Sequence, residues 1–82
     1  MHMRPAAQFV KTASRFRSDV WVLKGEQRVN GKILTEMMLL EAMPGSTLRL
    51  ESSGEDAEAC LDALAETVAN FDKDLDQPSG TT

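Results

Sequence analysis

The sequence predicts a small α+β domain in which an antiparallel sheet is covered on one face by helices. Two observations carry most of this. Long apolar stripes of helical period lie at the two ends of the chain, and short segments of alternating apolar and polar residues lie between them. The third is a count. Three strands are too few to close a barrel, so an open sheet must bury its apolar face against helices.

The first helix is expected over residues 5–17. Pro5 suits a helix start, because its missing N–H has no intrahelical acceptor there in any case. Ala6, Phe9, Val10, Ala13 and Phe16 then form one stripe. Asp19 to Lys24 alternates as a strand, with Val20 and Val22 on one face and Trp21 and Leu23 on the other. Gly25-Glu26 is a two-residue connection, and Gln27 to Asn30 is the partner strand of a hairpin.

Residues 33–40 favour a short helix that is apolar nearly all round, with Pro44-Gly45 expected to end it. Residues 47–52 alternate as a half-buried strand, Leu48 and Leu50 against Arg49 and Glu51. Ser53-Gly54-Glu55-Asp56 has the Ser-x-x-Asp form of a helix start. Ala57, Leu61, Leu64, Ala65, Val68 and Phe71 continue as the stripe of a last helix to about residue 70. One domain is expected over residues 1–71, with 72–82 a polar, disordered tail.

Composition narrows the function. With 82 residues the chain is a single small domain, and such domains bury only about 60–65% of their unfolded surface. The net charge of −4 argues against nucleic acid and against anionic membranes as partners. Cys60 is the sole cysteine, so no internal disulfide forms, and no Cys/His cluster suggests zinc. A lone thiol suits a reducing cytoplasm, and Cys60 reads as a small packing residue beside the last helix's stripe. No apolar run approaches the ~18 residues of a membrane span. No signal peptide is expected, because polar residues and Pro5 begin at once. A metal or hydrolytic enzyme has nothing to build a site from: one histidine and no nucleophile paired with a base.

His2 is the candidate reactive group. It stands just ahead of a helix start, where unpaired N–H groups and the positive end of the helix dipole favour an anion. Arg4 adds a guanidinium that can hold phosphate oxygens in a bidentate manner. A neutral imidazole is a competent nucleophile toward phosphorus, and a phosphoryl group on its nitrogen stays reactive enough to be passed on. His-x-Arg-Pro is nevertheless only a four-residue pattern, and a histidine at position 2 reads more readily as a free terminal residue.

The longer run His2-Met3-Arg4-Pro5-Ala6-Ala7-Gln8-Phe9-Val10 resembles the active-site stretch of the HPr family, phosphocarriers of the bacterial sugar phosphotransferase system. Val29-Asn30-Gly31-Lys32 before the short helix, Leu40 and Gly45 after it, and Ser53 to Ala57 at the last helix are similar too. The resemblance covers residues 1–71. It implies an HPr-like open-faced β-sandwich, and a protein that is not itself an enzyme and needs no cofactor or metal. It implies that His2 is phosphorylated on Nδ1 by enzyme I, which draws on phosphoenolpyruvate, and that His2 passes the group to a histidine of an enzyme IIA component. Arg4 would neutralise the phosphoryl oxygens in both transfers. Met3 and Ala7 on the first helix and Leu34, Met38 and Leu39 on the second would form the docking face. For Met38, docking and incidental exposure are equally good readings of its position, with Leu34, Met37 and Leu40 as core.

The chain departs from the family pattern twice. Many relatives from Gram-positive bacteria carry a regulatory serine after the lysine that opens the short helix, and here Lys32 is followed by Ile33. Family members also have a first strand ahead of the histidine, paired with the strand matching residues 47–52. Without it that strand becomes an edge. A monomer of low stability, a homodimer paired edge to edge, or a start further upstream are the expected outcomes. The alternative function is an HPr-like regulatory module that docks partners without efficient phosphotransfer.

Overall fold

The computed structural model describes residues 2–40 and 47–76, with side chains to residue 70. Its elements are α1 (Met3–Ala13), β1 (Asp19–Lys24), β2 (Gln27–Asn30), α2 (Leu34–Leu39), β3 (Arg49–Ser53) and α3 (Ala57–Asp76). The three strands form one antiparallel sheet in the order β2-β1-β3. The fold is the predicted α+β open-faced sandwich, with β1 central.

Register decides which residues face the helices. Val22 pairs with Val29 on β2 and with Leu50 on β3, while Val20 pairs with Ser52. Directly paired residues share a face, so these side chains form the inner surface. Phe9, Ala6 and Ala13 of α1, Met37 and Leu40 around α2, and Cys60 and Leu64 of α3 close over it. The opposite face carries Trp21, Leu23, Arg28, Arg49 and Glu51. There the Arg28 guanidinium lies 4.0 Å from the Trp21 ring centroid, a cation–π contact at a solvated surface. Gly25, at φ +60°, occupies the first central position of the hairpin turn, where a type II′ turn requires it.

Both ends of α1 differ from expectation. The helix starts at Met3, two residues before Pro5, because the Ala6 N–H donates to the His2 carbonyl at 3.1 Å. Pro5 then lies within the first turn, where helix geometry offers no acceptor for its absent N–H. The helix stops at Ala13, although the apolar stripe runs on to Phe16. Past Ser14 the Arg15 and Phe16 N–H groups donate to the carbonyls of Thr12 and Ala13, tightening the chain into turns. The released backbone groups find partners elsewhere. Lys32 Nζ donates to the Phe16 carbonyl at 2.7 Å, and the Arg17 and Ser18 N–H groups each donate to the Asp56 carboxylate at 3.0 Å.

Asp56 therefore does more than open α3. Its carbonyl accepts the Cys60 N–H, while its carboxylate reaches across to the α1–β1 connection instead of back to Ser53. The Ser18 hydroxyl also donates to it. That hydroxyl, with the Arg17 and Ser18 N–H groups, holds the Asp56 carboxyl below the usual aspartate range. Gly54, at φ +140°, lets this corner close, since a Cβ there would lie 2.6 Å from Ser18 Oγ. The α3 stripe is shifted from the one expected: Cys60 and Leu64 are its buried centre and Ala65 is exposed. Cys60, expected beside the stripe, is core. A hydroxyl pair, Thr12 with Thr67 at 3.2 Å, ties α1 to α3.

Three smaller differences remain. β3 begins at Arg49 and takes in Ser53. α3 continues to Asp76, so residues 72–76 of the expected tail are helical, and residues 77–82 lie outside those described. α2 ends at Leu39 because Leu40 turns to an extended ψ of 123°. The expected role of Pro44-Gly45 falls outside the described residues.

Two predictions test these contacts. Gly31→Ala would place a Cβ 2.6 Å from Val20 Cγ1 and 2.8 Å from Phe9 Cε1, and should cost about 1–3 kcal/mol in urea unfolding. Because the Asp56 pKa is lowered on folding, the stability from its contacts is present above the unfolded value, near 4, and is lost as pH falls through the folded value. Asp56→Asn should accordingly be less stable than wild type at pH 7, the gap narrowing as pH falls below about 4. An equal gap at all pH values would assign the effect to shape instead of charge.

Candidate functional site

The first turn of α1 builds the site around His2. His2 is the N-cap residue, extended at φ −66° and ψ 159°, and its side chain makes no capping hydrogen bond. The imidazole is exposed, so capping does not occupy it. Three N–H groups usually stand open in a helix's first turn. Here Pro5 has none and Ala6 donates to His2, which leaves the amides of Met3 and Arg4 without an intrahelical acceptor. Met3 directly follows His2 in sequence, and Arg4 follows Met3.

The charges around this turn favour an anion. No acidic residue occupies it, and residues 2–17 carry Arg4, Lys11, Arg15 and Arg17 with no carboxylate. The arginine side chain of residue 4 is exposed and can turn toward a group on His2. α3 is the opposite, with six carboxylates and one lysine between residues 57 and 76. The chain's net acidity thus conceals a cationic first helix.

α2 packs beside α1 and supplies the second part of the site. The large apolar side chains exposed among the described residues are Met3 (61%), Ile33 (41%), Met38 (38%) and Leu39 (73%). Three of the four lie on or immediately before α2 and the fourth is the first residue of α1. Met37 and Leu40 are fully buried and Leu34 packs half-buried against the core, as the sequence suggested for the inner side. Ala7 is exposed on α1. Met38 is not core. Ile33 was not among the docking residues expected from the sequence; its place immediately before an all-apolar short helix was the available signal.

The Asn30-Gly31-Lys32 turn sets α2 in position. Glu36 Oε1 accepts the Asn30 N–H at 2.9 Å, and Asn30 Oδ1 accepts the Lys32 N–H at 2.9 Å. The Gly31 N–H donates to the Val20 carbonyl at 2.8 Å. Gln27 Nε2 reaches the Leu39 carbonyl at 3.5 Å, a weak tether at the other end of α2. Among the described residues no group of His, Cys, Asp and Glu side chains could hold a metal ion, and no helix is long and apolar enough to cross a membrane.

Comparison with known proteins agrees with this geometry. A family model described as the PTS HPr component phosphorylation site matches residues 1–70. The phosphocarrier protein HPr of Neisseria meningitidis is 38% identical over 71 residues, covering 87% of this chain and 80% of that one. The structure of Crh, a Bacillus subtilis catabolite repression protein described as a dimer with a swapped domain, superposes with a TM-score of 0.82 at 38% identity, covering 85% of this chain and 80% of Crh. An HPr dimer from Thermoanaerobacter tengcongensis gives a TM-score of 0.80 at 38% identity, covering 87% and 82%. An exposed histidine at an anion-ready helix end, carried on this sheet and matched along most of the chain, has one explanation: the chain belongs to the HPr family of phosphocarriers of the bacterial phosphotransferase system.

Proposed function

We propose that this chain accepts a phosphoryl group on His2 from phosphorylated enzyme I and delivers it to an enzyme IIA-type protein. The observation that carries this is the N-cap position of His2: an exposed imidazole, free of capping, beside two amides with no intrahelical acceptor. In the forward step imidazole Nδ1 bonds to phosphorus as the donor's bond to it breaks. The next acceptor reverses the step. Charge spreads over the three equatorial oxygens in transit, so the protein's task is positioning and charge stabilisation. The Met3 and Arg4 N–H groups and the Arg4 guanidinium serve that role. Without a turnover of its own, the chain acts as a relay in the cytoplasm, where phosphoenolpyruvate is available.

Met3 and Ala7 of α1, with Leu34, Met38 and Leu39 of α2, form the face that both partners cover. Exposed apolar side chains around a reactive group suit transient docking, and methionine adapts to more than one partner. Self-association belongs to the same proposal. Among the described residues β3 pairs only with β1, and a strand with a free edge can recruit another chain. Relatives described as dimers give this precedent. Sedimentation over rising concentration should show a dimer; a single small species throughout would remove it.

Incubation with enzyme I and phosphoenolpyruvate should add one acid-labile phosphoryl group by intact mass, absent in His2→Ala. Lack of labelling under conditions that label another HPr would defeat the proposal. Arg4→Met should slow transfer by about tenfold to a hundredfold, the scale of one lost charge-assisted contact. Met38→Asp should weaken docking to enzyme I while leaving the urea midpoint nearly unchanged, since Met38 lies outside the core.

A further inference from the structure

Among the described residues the sulfur-bearing side chains are sorted by place. Cys60 and Met37 are fully buried, in the core that α2 and α3 close over the sheet. Met3 and Met38 are exposed, one next in sequence to His2 and the other on α2. Among the described residues the exposed sulfur-bearing residues thus all lie on the proposed docking face, and the buried ones are all core.

Thioethers react with peroxide at their sulfur lone pair. The sulfur takes one oxygen atom, the O–O bond breaks, and water leaves as the methionine becomes a sulfoxide, oxidised by two electrons at the expense of the peroxide. Access limits this reaction, as it limits thiol oxidation, so burial protects Cys60 and Met37. The product is a polar side chain with a strong acceptor oxygen. Buried under a partner without a donor opposite it, such a group opposes binding. Methionine sulfoxide is also reversible by enzymatic reduction, unlike most oxidative damage.

Given the carrier function proposed above, we propose that Met3 and Met38 form a reversible oxidation site through which peroxide switches off docking and phosphoryl transfer while the fold stays intact. Met3 is the more exposed of the two, which makes the segment beside the reactive histidine the first to respond. The core keeps its sulfurs reduced, so the switched-off chain remains folded and recoverable.

The test treats the full chain with hydrogen peroxide and maps the added oxygen by peptide mass. Phosphorylation by enzyme I and phosphoenolpyruvate is then timed before oxidation, after it, and after methionine sulfoxide reductase treatment. The expected result is oxidation of Met3 and Met38 ahead of Met37 and Cys60, a transfer rate lower by about tenfold, an unchanged urea midpoint, and recovery on reduction. A Met3→Leu/Met38→Leu double variant, whatever its own starting rate, should keep that rate through peroxide treatment. Unchanged transfer with both sulfoxides present would overturn the proposal, as would a loss that persists in the double variant. Failure of the untreated chain to accept phosphoryl would remove the carrier function itself, and this inference with it; transfer that survives oxidation would remove the switch alone.

Discussion

The fold depends on the close approach of two side chains and one backbone. Gly31 passes against Val20 and Phe9 with no room for a Cβ, and its N–H donates to the Val20 carbonyl. Phe9 is the largest fully buried side chain of α1, Val20 belongs to the central strand, and Gly31 leads into α2. One contact therefore fixes the distance between the first helix, the sheet and the second helix. Interiors packed to this density do not absorb a methyl group without displacing an element.

Polar groups then hold the same three elements in rotation as well as distance. Asn30 is gripped on its N–H by Glu36 and grips Lys32 with its side chain, so the entry to α2 is hydrogen-bonded at each step. Lys32 spends its ammonium on the Phe16 carbonyl, just past α1. Asp56 does the corresponding work on the other side, joining the start of α3 to residues 17 and 18. Each link lets α1 end where it does, and a helix anchored at its C-terminal end presents its N-terminal end in a defined direction. His2 sits at that end.

Much of this was legible from the residues. The hairpin could be read residue for residue, because alternation and a Gly-containing two-residue connection are local signals. The helix ends could not. α1 stops short of Phe16 because Lys32 and Asp56, distant in sequence, satisfy the backbone beyond it, and no window around residue 16 contains that information. Pro5 pointed to a helix start but not to its register, since proline is tolerated anywhere that helix geometry leaves the N–H unpaired. Likewise the Ser53 pattern suggested a local cap, and the structure spends Asp56 on a tertiary contact instead. For the site, spacing alone left His2 ambiguous. The resemblance along the chain implies its role, and the geometry adds which amides are open to an anion. Both sequence readings placed Met38 outside the core and the structure agrees; the exposure of Ile33 was not foreseen, because a helix apolar on every side does not declare its buried face.

The openness of the site has a further consequence. Many enzymes enclose a reactive intermediate to keep water away. His2 is exposed, and the first turn of α1 offers it two amides rather than an enclosure. In the proposed carrier role, a phosphoryl group on His2 is available to any acceptor that arrives, and water is one of them. Conservation of the group's transfer potential is therefore a race between collision with a protein acceptor and hydrolysis. In such a design the useful lifetime of the charged carrier is set by the abundance of its acceptors, and unspent phosphoryl groups drain away when those acceptors are scarce.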